Sequence, residues 1–158
     1  MKNQNYFKYF FLKKNKDFNL YTNITNIDAF KGVNNYKNDL IYLVGPTKSG
    51  KSSIAKIWQN KNNAVLYNNN ISTILENKKN ILIDDINKSS DQKKIFHLVN
   101  HAMLFKLKLL VTSKFEINEL NFSLKDLNSR LKIFEYFKIL NPDDDMLVQL
   151  LTKQLIKK

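Results

Sequence analysis

The sequence predicts an α/β fold in which a parallel sheet is flanked by helices. Three observations predict it. Short apolar runs such as Leu40-Ile41-Tyr42-Leu43-Val44 and Ile81-Leu82-Ile83 are unbroken rather than alternating, the mark of strands buried on both faces. Segments with helical spacing lie between them. A loop carrying two of the chain's three glycines joins the first run to the helix that follows, where backbone conformations costly for other residues are needed.

In chain order, residues 1–16 are rich in Lys and Asn with an aromatic cluster and are expected to form a tail, with the folded core at 17–158. Residues 26–36 predict a short helix. The run 40–44 is the first core strand, and a helix follows at about 51–60. Ala64-Val65-Leu66-Tyr67 is a short second strand, and Ile71 to Glu76 suffices for one or two helical turns. Ile81-Leu82-Ile83 is the third strand, ending at Asp84-Asp85. A helix from about Asp91 to Phe105 places Ile95, Leu98, Val99 and Ala102 on one face. Leu107 to Thr112 is the fourth strand, and 114–122 reads as a loop. Ser123 to Phe134 reads as a helix with Ser123 as N-cap, and Tyr136 to Leu140 as the fifth strand. Asn141-Pro142, followed by Asp143 to Asp145, opens a last helix whose acidic first turn suits the positive end of its dipole. The extra strand at 64–67 sets the expected order of the five-stranded parallel sheet at 5-1-4-3-2. The strands ending at Val44 and at Ile83 are then separated by the fourth.

Composition narrows the functional classes. No run of about 18 apolar residues exists to cross a membrane. The aromatic start is broken by Lys8 and followed by Lys13, Lys14 and Lys16, which excludes a signal peptide. Without cysteine there is no disulfide framework or thiolate metal site, and a reduced, cytoplasmic setting is expected. The net charge of +12 has two readings: affinity for nucleic acid through phosphate contacts, or drift of a Lys- and Asn-rich composition, with Lys scattered along the chain.

The chemistry is concentrated in three stretches. Gly45-Pro46-Thr47-Lys48-Ser49-Gly50-Lys51-Ser52, with Ser53 after it, is a phosphate-binding loop of the Walker A type. Its successive N–H groups face an anion at the start of a helix whose dipole favours negative charge. Lys51 is placed to reach the β- and γ-phosphates, and Ser52 to hold Mg²⁺. Asp84, ending an apolar strand, is the Walker B carboxylate for the Mg²⁺ shell, and Asp85 is placed to orient the attacking water. Thr112-Ser113, ending the next strand, are polar groups within reach of the γ-phosphate or that water. Arg130 is the chain's one arginine, a fixed fork of donors in a background of lysine. Its alternatives are a functional guanidinium and a surface salt bridge. His97 and His101, four apart on a helix, lack the Glu of a zinc-protease pattern and read as solvated or core-edge residues.

Taken together, Gly45 to Ser52, Ile81 to Asn87 and Leu109 to Arg130 (Leu-Leu-Val-Thr-Ser, then Leu-Asn-Ser-Arg-Leu) resemble the AAA+ core of the bacterial replication initiator DnaA. The sequence is closer to Hda, the short homologue that promotes regulatory inactivation of DnaA, of the alphaproteobacterial type. Ile95 to Asn100 is similar to that family's Phe-His-Leu-Leu-Asn helix, Asn141 to Asp144 to its Pro-Pro-Asp-Asp start of the last core helix, and Asp17-Phe18 to its Asp-Phe before the base-binding segment. The resemblance covers about 17–156.

It implies a protein that binds ATP or ADP with Mg²⁺ in replication control. Lys51, Ser52, Asp84 and Asp85 match the Walker residues, Thr112-Ser113 match sensor 1, and Arg130 matches the arginine finger that acts on nucleotide held by a neighbouring subunit, here DnaA. Lys114 stands where DnaA has an acidic residue. Family members bind the polymerase sliding clamp through a Gln-Leu-x-Leu-x-Leu peptide; Gln4, Tyr6, Phe7 and Tyr9 keep its Gln and bulky apolar groups, while Asn5 replaces its first Leu. The chain ends where the family's lid begins, and 64–83 leaves no room for DnaA's single-strand-binding helices, so sequence-specific DNA binding is not expected. Two alternatives stand beside this reading: a small P-loop kinase, opposed by the single Arg, and a truncated, inactive paralogue.

Overall fold

The computed structural model describes residues 14–15, 20–21, 25–88, 91–144 and 147–148. Five core strands occur, β1 (Leu40–Val44), β2 (Val65–Leu66), β3 (Ile81–Ile83), β4 (Leu109–Ser113) and β5 (Glu135–Lys138), together with helices α1 (Ile27–Asn34), α2 (Lys51–Asn62), α3 (Ser72–Asn77), α4 (Gln92–Leu104) and α5 (Lys125–Leu131). The sheet is parallel throughout, in the order β5-β1-β4-β3-β2. That is the expected order, with β4 lying between β1 and β3. A separate two-residue antiparallel ladder joins Lys14–Asn15 to Leu20–Tyr21.

The unbroken apolar runs are buried on both faces, as their composition demands. Every residue of β1, β3 and β4 is buried. Alternate side chains divide between two cores. Tyr42 and Val44 join α3, α4 and α5 on one face through Ile74, Leu98 and Leu127, while Ile41 and Leu43 meet α1 and α2 on the other through Val33 and Trp58. Burial of this kind is worth about 25 cal/mol per Å² of apolar surface, so the central strands carry much of the fold's apolar stabilisation.

Several element boundaries differ from expectation, each for a local reason. Ser123 does not cap α5. Its hydroxyl donates to Gln92 Oε1, which also accepts the Leu124 N–H, and the helix starts at Lys125. β4 starts at Leu109 rather than 107 because the Leu107 N–H closes the end of α4 on the Ala102 carbonyl. β5 stops at Lys138; the Leu140 N–H turns to the Thr25 carbonyl. Within 114–122 one 3-10 turn forms, at Ile117–Glu119. The expected last helix lies largely outside the described residues; within them the Leu147 N–H donates to the Asp143 carbonyl. Among the described residues no helix is long and apolar enough to cross a membrane.

Candidate nucleotide-binding site

The site is built at the carboxyl ends of the strands, the end at which parallel sheets hold ligands. β1 delivers the chain to Gly45, whose N–H donates to the Ser113 carbonyl at 3.2 Å. A Cβ on Gly45 would lie 2.8 Å from Ile139 Cβ and 3.0 Å from Ser49 Oγ. Lys48 and Gly50 take left-handed conformations, with φ of 63° and 95°, and Gly50 opens α2 by accepting the Ile54 N–H. Thr47 and Lys48 are exposed at the outer turn of the loop, whereas Ser49 is buried. The loop therefore runs into the positive end of a 12-residue helix.

Lys51 folds across this loop. Its ammonium donates to the carbonyls of Gly45 (2.7 Å) and Pro46 (2.6 Å). Burial pulls its pKa below the ordinary lysine value, while Asp85 and Asp84 act in the opposite direction.

Three elements supply the acid side. The Thr112 hydroxyl, fully buried, donates to Asp84 Oδ1 at 2.7 Å and accepts the Asp85 N–H at 2.8 Å. Ser52 Oγ, from α2, donates to the same Asp84 oxygen at 3.2 Å. Asp85, in a left-handed conformation with φ 64°, turns its carboxylate to Asn87, whose amide donates to Asp85 Oδ1 at 2.8 Å and to Ser113 Oγ at 3.1 Å. Ser113 Oγ in turn accepts the Phe115 N–H. Asn87 had no role in the sequence reading. Its spacing of two from Asp85 was visible, but the bridge to Ser113, 26 positions on, depends on β3 and β4 being neighbours.

Walker A, Walker B and the pair ending β4 thus form one connected set. It fits a magnesium-bound phosphate chain on its donor chemistry. Ser49 Oγ is buried without a protein partner, the Ser52 hydroxyl and Asp84 carboxylate converge from two elements, and a lysine and a helix amino terminus face them. Among the described residues no group of three or more His, Cys, Asp or Glu could hold a metal by itself, so an ion placed here would also need phosphate oxygens and water as ligands.

Arg130 stands outside the set. Its guanidinium lies over the Phe96 ring, 5.4 Å from the centroid, with Nη1 3.3 Å from Met103 Sδ. Among the described residues it meets no carboxylate, so the salt-bridge alternative does not describe it. His97 is exposed and His101 is buried against Phe105. Gln4, Tyr6, Phe7, Tyr9 and Asp17-Phe18 lie outside the described residues.

No family model matches the chain, and no curated protein does either. Solved structures do. AMPPCP-bound DnaA from Aquifex aeolicus superposes with a TM-score of 0.67 at 17% identity, over 88% of this chain and 54% of that one. Domain III of the Thermotoga maritima replication initiation protein DnaA gives 0.67 at 14% identity, over 85% and 70%. DnaI gives 0.55 at 16% identity, over 77% and 85%. The chain spans about half the length of the DnaA from Aquifex aeolicus. At these identities the likeness shows the fold alone, the one these DnaA and DnaI structures share with this chain.

Proposed function

We propose that this chain is a DnaA-related AAA+ protein that binds ATP or ADP with Mg²⁺ and acts in the regulation of chromosomal replication initiation. The observation carrying this reading is the separation of two groups. Lys51, Ser52, Asp84 and Thr112 share one hydrogen-bonded site, while Arg130 is held on α4 with no link to it. The AMPPCP bound by the similar DnaA supports adenine as the base.

In this site the loop N–H groups and Lys51 would hold the phosphates, with Gly45, Pro46, Thr47, Lys48, Ser49, Gly50 and Ser53 forming the cradle. Ser52 and Asp84 would hold Mg²⁺, which when bound neutralises charge between phosphate oxygens. Thr112 fixes Asp84. Asp85 would orient water, with Ser113 reaching it through Asn87.

Arg130 would act on ATP held by DnaA, in the manner of Hda, together with the sliding clamp engaged through Gln4, Tyr6, Phe7 and Tyr9. Residues 1–16 would be the clamp peptide and 17–158 the nucleotide core. A planar guanidinium stabilises charge spreading over γ-phosphoryl oxygens better than an ammonium does, and such fingers supply ~10³–10⁵ in rate in other P-loop hydrolases. A smaller gain is expected from this chain, which by itself should turn ATP over slowly at most. Mixed with ATP-loaded DnaA and DNA-loaded clamp it should accelerate hydrolysis, and Arg130→Ala should abolish that while binding its own nucleotide as the parent does. Equal stimulation by parent and Arg130→Ala, or none by either where a full-length Hda works, would overturn the adaptor role and leave the inactive-paralogue reading.

A further inference from the structure

The end of the sheet opposite the P-loop carries an unneutralised basic face, and we infer that this face binds single-stranded nucleic acid without sequence preference, independently of the nucleotide site. The inference rests on what the topology gathers. All five strands are parallel, so the loops leading into them meet at one end. Lys37 precedes β1, Lys61 precedes β2, Lys78 and Lys79 precede β3, and Lys106 and Lys108 precede β4. These lysines are scattered along the sequence and brought to one end of the sheet by the fold. β1, β4, β3 and β2 are successive neighbours, and at about 4.8 Å per strand the row spans roughly 15 Å.

The face carries six lysines against three carboxylates. Among the described residues none of the six lysines forms an ion pair; the pairs present are Lys94–Asp91 and Lys138–Glu116. The carboxylates nearby are Asp39, Glu76 and Glu135, and Glu135 is taken up by the N–H groups of Lys37 and Asn38. Five of the six lysines are exposed, and Lys108 is half-buried.

The face is also ordered and interleaved with rings. Asn62 Oδ1 accepts from Tyr36 OH at 2.9 Å and from Lys108 Nζ at 3.2 Å, and its carbonyl accepts from the Asn80 amide at 2.8 Å. Asn80 Oδ1 accepts the Lys108 N–H at 2.9 Å. Lys108 lies over Tyr36 at 5.1 Å and Lys78 over Phe105 at 4.4 Å. Phe105 remains 38% exposed. Ammonium groups beside an accessible ring fit a strand with phosphates to neutralise and bases free to stack. Among the described residues no helix projects from this end to read a groove, so recognition would be through backbone and stacking and would fall with salt.

The test is fluorescence anisotropy of labelled oligothymidine with the full chain across a salt series. The parent should bind, more weakly as salt rises. Lys78→Gln/Lys79→Gln/Lys106→Gln should bind at least ~10-fold more weakly and flatten the slope of log K against log salt by about 2, from three phosphate contacts at about 0.7 each. A control triple elsewhere, Lys56→Gln/Lys93→Gln/Lys125→Gln, should lose much less. ATP affinity should be equal in all three proteins, which separates this outcome from misfolding and from failure of the nucleotide-site reading. The inference is overturned if the first triple binds like the parent, if the control loses as much, or if the parent binds phosphatidylserine vesicles and not oligothymidine. Equal affinity for duplex, with no loss in Phe105→Ala, would overturn the single-strand assignment.

Discussion

The two ends of the sheet are made from the same strands and hold opposite arrangements of charge. At the carboxyl end, cation and acid are interlocked: Lys51 lies near Asp84 and Asp85, hydroxyls of Ser52 and Thr112 fix one carboxylate oxygen, and Lys138 pairs with Glu116. At the amino end, lysines stand beside asparagines and rings, and the Glu135 carboxylate accepts backbone N–H groups. A site that must hold one small anion in a fixed pose needs converging donors and acceptors of both signs. A face that must hold a long polyanion needs only spaced cations. The difference teaches that lysine count alone says little, and that the partners around each lysine separate the two uses.

Gly45→Ala tests the carboxyl end with the largest expected structural effect. The new methyl would meet Ile139 Cβ at 2.8 Å and the Ile139 carbonyl at 3.2 Å, and neither can swing aside as a flexible tip would. Overpacking of this kind costs about 1–3 kcal/mol. The melting temperature should fall by several degrees, at a rate of about 2–4 °C per kcal/mol for a chain of this size. A variant melting with the parent would show that the loop does not pack on Ile139 as described.

His101 tests the amino end with a smaller effect. Burial first, and then the Lys78 charge, pull its pKa below the ordinary histidine value of 6.5. Between its folded value and 6.5 the unfolded chain binds more protons than the native one, so stability is full above pH 6.5 and declines as pH falls through that window. Denaturant melts over pH 5 to 8 should show that decline, and His101→Phe should flatten it. A decline unchanged in His101→Phe would assign it to another group.

The strand order was legible because the extra strand at 64–67 falls between the glycine-loop strand and the strand ending at Asp84, which places β4 between those two. The glycine loop and Asp84-Asp85 stood out because each is a local pattern in the sequence. Long-range partners did not. Ser123 has the chemistry of an N-cap, and only the fold reveals that Gln92, 31 positions away, takes its hydroxyl instead. Asn87 bridges Asp85 and Ser113 only because β3 and β4 are adjacent. The basic face was invisible for the same reason, since lysines at positions 37, 61, 78 and 106 share no segment and are united by parallel topology.

The central claim is that the carboxyl end is a nucleotide site held by Lys51. Calorimetric titration of the parent and Lys51→Ala with ATP and with ADP tests it most directly. A charge-assisted contact to phosphate is worth about 1.5–3 kcal/mol, so Lys51→Ala should bind both nucleotides at least ~10-fold more weakly, with its oligothymidine affinity unchanged. Equal nucleotide affinities for parent and Lys51→Ala would contradict the claim.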